Sequence, residues 1–385
     1  MNKQYERKIK ENKPVVAICY DFDKTLTPDD MQAQGFIQSV GYDVSSFWEK
    51  SNGLAEKNDM DQNLAYMYTM LQESEGKVLF TKKSLKDYGA KIQLFPGVKD
   101  WFERIRAYAK EKGVIVEHYI ISSGLKEMIE GTVVASSFER IYASSFYYNE
   151  KNVAEWPAQV VNYTNKTQFL FRIEKGTLDI NDSGINDYFP TEKLRVPFRN
   201  IIYIGDSDTD IPCMKLVNAN GGHSIGVYNP ESQKKDKVFK MMHDKRIKYF
   251  APADYSDGSE LDTLVKAIID RTFYNELLED IHVKNKTEYE QDEANCSEEE
   301  KKKKSLLISL EESSSFKTTH TVISELRKIN YWSPYEIEWL IDIALSNNQV
   351  GYILNDSDVS RFYKSIIDGT NSEKASELKK ILEEE

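Results

Sequence analysis

Short apolar runs alternate with longer amphipathic segments from about residue 14 to residue 270. The first run, Pro14-Val15-Val16-Ala17-Ile18-Cys19-Tyr20, is continuous and β-branched, which is typical of a strand buried in a parallel sheet. Further strands are predicted at 116–121, 141–148, 200–204, 225–228 and 247–251. Because segments of helical pattern separate these runs, the sequence predicts an α/β fold built on a parallel sheet.

Between the first two runs the pattern becomes helical. Apolar residues recur there at helix-like spacings, among them Met31, Phe36, Phe47, Trp48, Leu64, Met67 and Leu71. We predict a small helical insertion over about 29–93, whose aromatic side chains form its own core. The turn Phe95-Pro96-Gly97 then leads into an amphipathic helix that returns the chain to the sheet.

The C-terminal third has a different character. Residues 281–304 hold an acidic and polar block followed by the basic run Lys301–Lys304, which predicts a charged linker or helix. Residues 305–385 are predicted to form a helical module, in which Ser333-Pro334-Tyr335-Glu336 is a capping box. We therefore expect one α/β domain at 1–280 with the insertion inside it, and a helical module that carries no catalytic constellation.

Composition excludes several classes of function. The chain has 385 residues and a formal net charge of −12, which argues against a nucleic-acid binder held by phosphate contacts. No apolar run approaches the length of a membrane span, and the charged N-terminus does not resemble a signal peptide. Cys19, Cys213 and Cys296 have neither disulfide nor metal spacing. We expect a cytoplasmic protein that binds neither nucleic acid nor membrane.

Polar residues that suit catalysis follow the predicted strands. Asp21 and Asp23 come directly after the first strand, where ligands bind in open α/β sheets. An extended backbone would direct both carboxylates the same way. Two acids so close suit a nucleophile, an acid–base and a metal, although a solvated Asp turn explains them equally well. Ser122-Ser123-Gly124 ends the second strand before a helix, which suits an oxyanion or a plain Ser N-cap.

Two further segments add a cation and more acids. Lys166 lies in the first turn of a helix capped by Thr164 or Asn165, where a positive charge is disfavoured unless an anion is near. Taken alone, Lys166 is better explained as a solvated side chain. Asp206 and Asp210 follow the fourth strand across a Gly turn, four residues apart, as ligands of a hard cation would.

These four motifs, Asp-x-Asp-x-Thr, Ser at a strand end, Lys at a helix start and Gly-Asp-x-x-x-Asp, occur in this order on the expected elements. The chain resembles the haloacid dehalogenase superfamily of phosphohydrolases, and the insertion resembles the helical cap of its phosphoserine-phosphatase-like branch. The resemblance implies a doubly wound, Rossmann-like parallel sheet. It also implies Mg2+-dependent hydrolysis of a small phosphorylated metabolite through an aspartyl-phosphate.

The resemblance assigns the acids. It implies that Asp21 is the nucleophile and that Asp23 protonates the leaving group and then takes a proton from water. It implies that Mg2+ is held by Asp21, Asp206 and the backbone carbonyl of Asp23, with Asp210 in or near the shell. The same machinery serves a phosphotransferase, which stays an alternative. An interaction protein that binds a partner through its helical tail is another. A metal-free dehalogenase needs neither Asp23 nor Asp206.

The resemblance also assigns the phosphate site. It implies that Ser122 and Lys166 bind the phosphoryl oxygens, with Thr25, Ser123 and Gly124 around them. Ser123 departs from the family pattern, because phosphoserine phosphatases carry Gly there, and this leaves the substrate open.

One further acid is a candidate for binding the substrate. Phosphoserine phosphatases bind the substrate amino group with a Glu nine residues after the nucleophile, and Asp30 stands at that offset. We favour a helix cap over substrate binding for Asp30.

Overall fold

A computed structural model describes residues 5–232, 234–293 and 298–383 of the chain. By internal contacts the chain divides into two compact units, Met1–Ile281 and His282–Glu385. Cys19 and Cys213 are buried free thiols, whereas Cys296 lies outside the described residues. Among the helices described, none has the length and apolar character needed to cross a membrane.

The first unit is built on a seven-stranded sheet. Its strands, in chain order, are β1 Val15–Tyr20, β2 Ile115–Leu125, β3 Arg140–Tyr148, β4 Ala154–Gln159, β5 Ile201–Gly205, β6 His223–Tyr228 and β7 Tyr249–Pro252. They lie in the order β4-β3-β2-β1-β5-β6-β7. Every neighbouring pair is parallel except β3 and β4. The predicted α/β architecture is confirmed.

Helices cover both faces of this sheet. Those that begin in the first unit are α1 Phe36–Ser39, α2 Val44–Asn58, α3 Gln62–Ser74, α4 Lys82–Gly89, α5 Val98–Glu111, α6 Lys126–Gly131, α7 Thr167–Lys175, α8 Ile211–Ala219, α9 Asp236–His243 and α10 Glu260–Glu293. All of β1 is buried. Successive residues such as Ile18 and Cys19 point to opposite faces of the sheet, where they belong to two different apolar clusters. This two-sided burial explains why β1 reads as an uninterrupted apolar run.

The helical insertion lies between β1 and α5 and consists of α1 to α4. The expectation that its aromatic residues form a core of their own is wrong, because Phe36, Phe47 and Tyr66 belong to the same apolar cluster as one face of the sheet. Close backbone contact between α4 and α6 helps to explain this. A Cβ atom on Gly89 would lie 1.9 Å from the carbonyl oxygen of Met128, so only glycine permits the approach.

Two details of the sheet differ from the prediction. β2 continues through Ser122, Ser123 and Gly124, with an irregular register between Ile121 and Leu125, and α6 begins only afterwards. β4 was not predicted, since its sequence Ala-Glu-Trp-Pro-Ala-Gln is mostly polar or small and contains proline. It is an edge strand, which is where a sheet tolerates proline.

The second unit is helical in its described residues. After the end of α10 it contains α11 Glu298–Glu311, α12 Phe316–Leu326, α13 Pro334–Ser346, α14 Asn348–Tyr352, α15 Ser357–Ile367 and α16 Glu373–Glu383. These helices bury an apolar cluster of their own that includes Leu310, Leu340 and Tyr363. The predicted capping box is confirmed: Ser333 Oγ accepts from the Glu336 N–H, and the Glu336 carboxylate accepts from the Ser333 N–H.

Candidate active site

The carboxyl ends of three central strands meet at one edge of the sheet. Tyr20, the last residue of β1, is level with Ile120 of β2 and Ile204 of β5. The Asp21 N–H still donates to the Ile204 carbonyl, at 3.0 Å, so Asp21 is held in register as the strand ends. The motifs that follow these strands are therefore brought together by sheet register.

Asp21 is buried at this edge, with 6% of its surface exposed. Its carboxylate accepts from the Phe22 N–H at 2.8 Å, and Lys166 Nζ lies 3.3 Å from the same oxygen, Oδ1. Burial, reinforced by the charge of Asp210, raises the pKa of Asp21 to about 6, while Lys166 and a hydrogen bond from Ser122 oppose the rise. The positive charge of Lys166 and the hydrogen bonds thus offset only part of the cost of burying the Asp21 carboxylate.

Asp23 faces a different environment, because the chain does not stay extended after β1. The Leu26 N–H donates to the Phe22 carbonyl, and Lys24 adopts a φ of 56° within this turn. Asp23 Oδ1 accepts from the backbone N–H of Met31 at 2.8 Å. Burial, together with the nearby charges of Asp30 and Asp21, raises the pKa of Asp23 well above its usual value. The site therefore favours a protonated Asp23.

Lys166 is completely buried between two acids. Its Nζ lies 2.8 Å from Asp210 Oδ1 and 3.3 Å from Asp21 Oδ1. Burial alone lowers the pKa of a lysine, but here the charges of Asp21 and Asp210 outweigh it and raise the pKa of Lys166 above its usual value. The ammonium group is therefore fixed beside Asp21.

The start of α7 differs by one residue from the prediction. Lys166 itself occupies the N-cap position, and neither Thr164 nor Asn165 caps the helix. Their backbone N–H groups instead bond to the side chain of Asn162, which closes the preceding turn. Lys175, the other lysine near this helix, lies at its far end, where its ammonium donates to backbone carbonyls.

Asp206 lies just after β5 and is mostly buried. Burial raises its pKa to about 7, and the opposing cation is Lys237, whose Nζ lies 3.4 Å from Asp206 Oδ2. Lys237 comes from α9, a helix that the sequence motifs do not include.

Asp210 is completely buried and makes four hydrogen bonds. Its Oδ1 accepts from Lys166 Nζ and from the Tyr203 hydroxyl at 2.9 Å, and its Oδ2 accepts from the N–H and hydroxyl of Ser207 at 3.2 Å each. A Cβ atom on Gly205 would lie 2.5 Å from Asp210 Oδ2, so the Gly of the Gly-Asp motif makes room for this carboxylate. Asp210 thus fixes the ammonium that faces Asp21.

Three of these acids fit a metal ion. Asp21, Asp206 and Asp210 each offer a carboxylate oxygen, and the three oxygens lie within 4.8 Å of one another. Carboxylate oxygens are the ligands that hard divalent cations such as Mg2+ prefer.

The irregular end of β2 lies against Asp23. The Gly124 N–H donates to Ser122 Oγ at 3.1 Å, and a Cβ atom on Gly124 would lie 2.9 Å from Asp23 Oδ2. The hydroxyl oxygens of Thr25 and Ser123 are buried without a hydrogen-bond partner. Unpartnered buried hydroxyls are costly, so these two suit a bound ligand that accepts their hydrogen bonds.

Asp30 does not cap a helix, and that prediction is wrong. It stands at the N-cap position of the short 3₁₀ turn Met31–Ala33, but its side chain makes no capping hydrogen bond. Both of its carboxylate oxygens bind Lys24 Nζ instead, at 2.8 and 2.7 Å. The competing ammonium group explains the missing cap, because an ion pair is the stronger hydrogen bond.

Sequence reasoning missed several residues that contact the motifs. Met31 orients Asp23, Tyr203 donates to Asp210, and the Tyr66 hydroxyl of the insertion donates to the Ser123 carbonyl at 2.7 Å. Lys24 and Lys237 pair with Asp30 and Asp206, respectively. Only Lys24, which stands inside the first motif, and Tyr203, on the strand that leads to the fourth, had a local signal.

A family model and one relative match this chain. A family model described as "HAD: haloacid dehalogenase-like hydrolase" matches residues 18–215. An uncharacterized protein of Borreliella burgdorferi (strain ATCC 35210 / DSM 4680 / CIP 102532 / B31) is 27% identical over 281 residues, which cover 65% of this chain and 95% of that protein.

Two of the solved structures found to be similar to this chain are 18% and 11% identical to it. A HAD family hydrolase from Salmonella enterica subsp. enterica serovar Typhi has a TM-score of 0.43 and 18% identity, covering 67% of this chain and 73% of that one. A probable phosphoserine phosphatase from Vibrio cholerae has a TM-score of 0.42 and 11% identity, covering 67% and 65%.

Proposed function

We propose that this chain, which belongs to the haloacid dehalogenase-like hydrolases, hydrolyses a small phosphomonoester through an aspartyl-phosphate, with Mg2+ as cofactor. The observation that carries the proposal is that two neighbouring acids have different surroundings, only one of them facing an ammonium group. Asp21 is buried beside the Lys166 ammonium, as a nucleophilic carboxylate would be. Asp23, two residues further on, has a strongly raised pKa, as a proton donor would.

In the first step Asp21 attacks phosphorus. A bond forms between a carboxylate oxygen of Asp21 and phosphorus, while the bond from phosphorus to the ester oxygen breaks. Asp23 gives its proton to that leaving oxygen, so the alcohol departs neutral. The hydrogen bond from the Met31 N–H fixes Asp23 Oδ1 and leaves Oδ2, which lies towards Gly124, as the oxygen that carries the proton.

In the second step water hydrolyses the aspartyl-phosphate. Asp23, now a carboxylate, takes a proton from the water as its oxygen attacks phosphorus, and the bond to Asp21 breaks. Inorganic phosphate leaves, Asp21 is free again, and Asp23 is protonated for the next cycle.

The remaining polar groups hold the phosphoryl oxygens. Lys166 and Ser122 provide donors, and the unpartnered hydroxyls of Thr25 and Ser123 are two more. The Gly124 N–H donates to Ser122 Oγ and so holds that hydroxyl in place. Mg2+ held by Asp21, Asp206, Asp210 and the carbonyl of Asp23 would supply the charge that offsets repulsion between carboxylates and phosphate.

Phosphate release from a panel of small phosphoesters tests this function. Wild type is expected to release phosphate with Mg2+ and to stop in EDTA, and Asp21→Asn is expected to be inactive on every substrate. Lys175→Met is the matched control, because this lysine lies at the far end of α7 from the site. Activity that resists EDTA would refute the metal, and activity in Asp21→Asn would refute the nucleophile. Transfer of the phosphoryl group to an added alcohol rather than to water would favour a phosphotransferase.

A further inference from the structure

We propose that Tyr66, a residue of the helical insertion, is a positioning residue for the phosphate site and acts through the hydroxyl of Ser122. This inference rests on the proposed hydrolysis, in which Ser122 is a donor to the phosphoryl oxygens. Tyr66 lies in none of the four sequence motifs. Its role would make the geometry of the phosphate site depend on the insertion.

Tyr66 reaches the end of β2 from α3, and its ring is held firmly. Only 4% of its surface is exposed, and it belongs to the apolar cluster on one face of the sheet. The ring packs edge-on against Trp48 of α2, with 6.0 Å between the ring centroids. Its hydroxyl donates to the backbone carbonyl of Ser123 at 2.7 Å. Because the ring is already fixed by packing, little conformational entropy is lost in forming this bond.

The carbonyl of Ser123 lies in the stretch where the register between β2 and β3 shifts. Two side-chain hydroxyls donate to its oxygen, Tyr66 from the insertion at 2.7 Å and Ser144 of β3 at 3.1 Å. Ser144 Oγ in turn accepts from the Val161 N–H at 3.0 Å, so its single hydrogen remains for the Ser123 carbonyl. The direction of this carbonyl is therefore set jointly by the insertion and by the sheet.

The planarity of one peptide group carries this contact to Ser122. The carbonyl of Ser123 and the N–H of Gly124 belong to the same trans peptide, so they point in opposite directions and turn together. That N–H donates to Ser122 Oγ at 3.1 Å. A donor that fixes the Ser123 carbonyl therefore also fixes the N–H that orients the Ser122 hydroxyl.

A double-mutant cycle separates this role from the plain need of a buried tyrosine hydroxyl for an acceptor. Tyr66→Phe removes only the hydroxyl, and Ser122→Ala removes the group through which Tyr66 is proposed to act. Both single variants and the double variant are assayed as kcat/KM for p-nitrophenyl phosphate with excess Mg2+. Tyr68→Phe is the matched control, because it makes the same change at a half-exposed position of the same helix.

The expected results depend on the background. Tyr66→Phe alone is expected to lower kcat/KM about fivefold, the effect of one lost neutral hydrogen bond. In the Ser122→Ala background it is expected to cost less than about twofold, because the hydroxyl that it orients is gone. Tyr68→Phe is expected to keep kcat/KM unchanged in both backgrounds. Equal losses from Tyr66→Phe in both backgrounds, or a loss below about twofold in the wild-type background, would overturn the inference.

Hydrogen exchange of the Gly124 amide in the full chain tests the positioning without catalysis. The segment 122–124 is expected to exchange about fivefold faster in Tyr66→Phe, because its carbonyl has lost one of two side-chain donors. Exchange of α3 is expected to stay unchanged, whereas a loosened insertion would accelerate it. Unchanged exchange at Gly124, or faster exchange throughout α3, would overturn the inference.

The two measurements also distinguish this inference from the proposed function. Failure of wild type to hydrolyse p-nitrophenyl phosphate with Mg2+ would reject the proposed function. The exchange of Gly124 would then still decide whether Tyr66 holds the peptide that orients Ser122.

Discussion

Replacing Asp23 by Asn isolates the proton transfer that the proposed mechanism requires. An Asn side chain has the same shape, and its carbonyl oxygen can accept the Met31 N–H that now binds Asp23 Oδ1 at 2.8 Å. Because the raised pKa indicates that the site already favours a neutral Asp23, a neutral amide adds no new charge. The substitution is therefore expected to leave the fold unchanged while removing the proton.

The size of the defect is expected to depend on the leaving group. General acid catalysis usually contributes ~10²–10⁴-fold, which is about 3–5 kcal/mol of activation free energy. An alkyl phosphate has a basic leaving oxygen and should lose this full factor in the phosphorylation rate. p-Nitrophenyl phosphate releases a stable anion, so we expect its loss in this step to stay below about tenfold.

Single-turnover kinetics with both substrates measure this difference. With the aryl substrate, Asp23→Asn is expected to give a burst of nitrophenol and then a slow steady state, because the water has lost its base. Asp21→Asn serves as the comparison, since it should abolish both phases for both substrates. Equal losses for alkyl and aryl substrates in Asp23→Asn would refute the acid–base role and leave Asp23 as a positioning residue.

Three further predictions concern charge at the site. Asp206→Asn is expected to require far more Mg2+ for the same activity, because a charged oxygen ligand becomes neutral; an unchanged Mg2+ titration would contradict this. Folding raises the pKa of Asp21 to about 6 and of Asp206 to about 7, so at these two sites the folded state binds more protons than the unfolded state. Glu73 and Glu117, whose pKa folding lowers to about 2, act in the opposite sense near pH 4, so the window for this effect is about pH 5 to 7. The metal-free protein should therefore lose stability as pH rises through this window, and Mg2+ should reduce the loss; amide hydrogen exchange of β1 measures it, and stability that rises with pH would refute it. Lys166→Met is expected to cost about 3–5 kcal/mol of unfolding free energy at pH 8, because it leaves two buried carboxylates unpaired, whereas a cost no larger than that of Lys175→Met in urea unfolding would contradict the buried pairing.

The positions of the four sequence motifs could be predicted because they depend on the backbone. Buried strands have an apolar pattern that is visible in sequence, and parallel strands end at one edge of the sheet. Asp21, Ser122 and Asp206 had to lie near one another once their strands were recognised. Lys166 had a weaker signal, a positive charge where a helix begins, and its two acidic neighbours explain that position.

The contacts around the motifs could not be predicted, because they depend on side chains that meet only in the folded chain. Nothing near Tyr66 or Lys237 in the sequence indicates a partner at Ser123 or Asp206. The pairing of Asp30 with Lys24 also escaped local reasoning: the expected cap is a local interaction, and an ammonium six residues away competed with it successfully. The turn that brings them together requires a φ at Lys24 that sequence pattern does not predict.

The charges of the site give a physical reason for a divalent cation that does not depend on the family. Asp21, Asp206 and Asp210 crowd three carboxylates into a small, largely buried space, and Lys166 alone pairs with two of them. If all three acids are ionised, Lys166 and Lys237, whose Nζ lies 3.4 Å from Asp206 Oδ2, still leave a negative charge there, and a divalent cation would offset it. Without a cation the cost of these charges is visible in the raised pKa of Asp21 and of Asp206, because the protein takes up protons in its place. Protons and a bound divalent cation would therefore compete for the same oxygens, and the cation would offset repulsion between these carboxylates and the phosphoryl group of the proposed substrate.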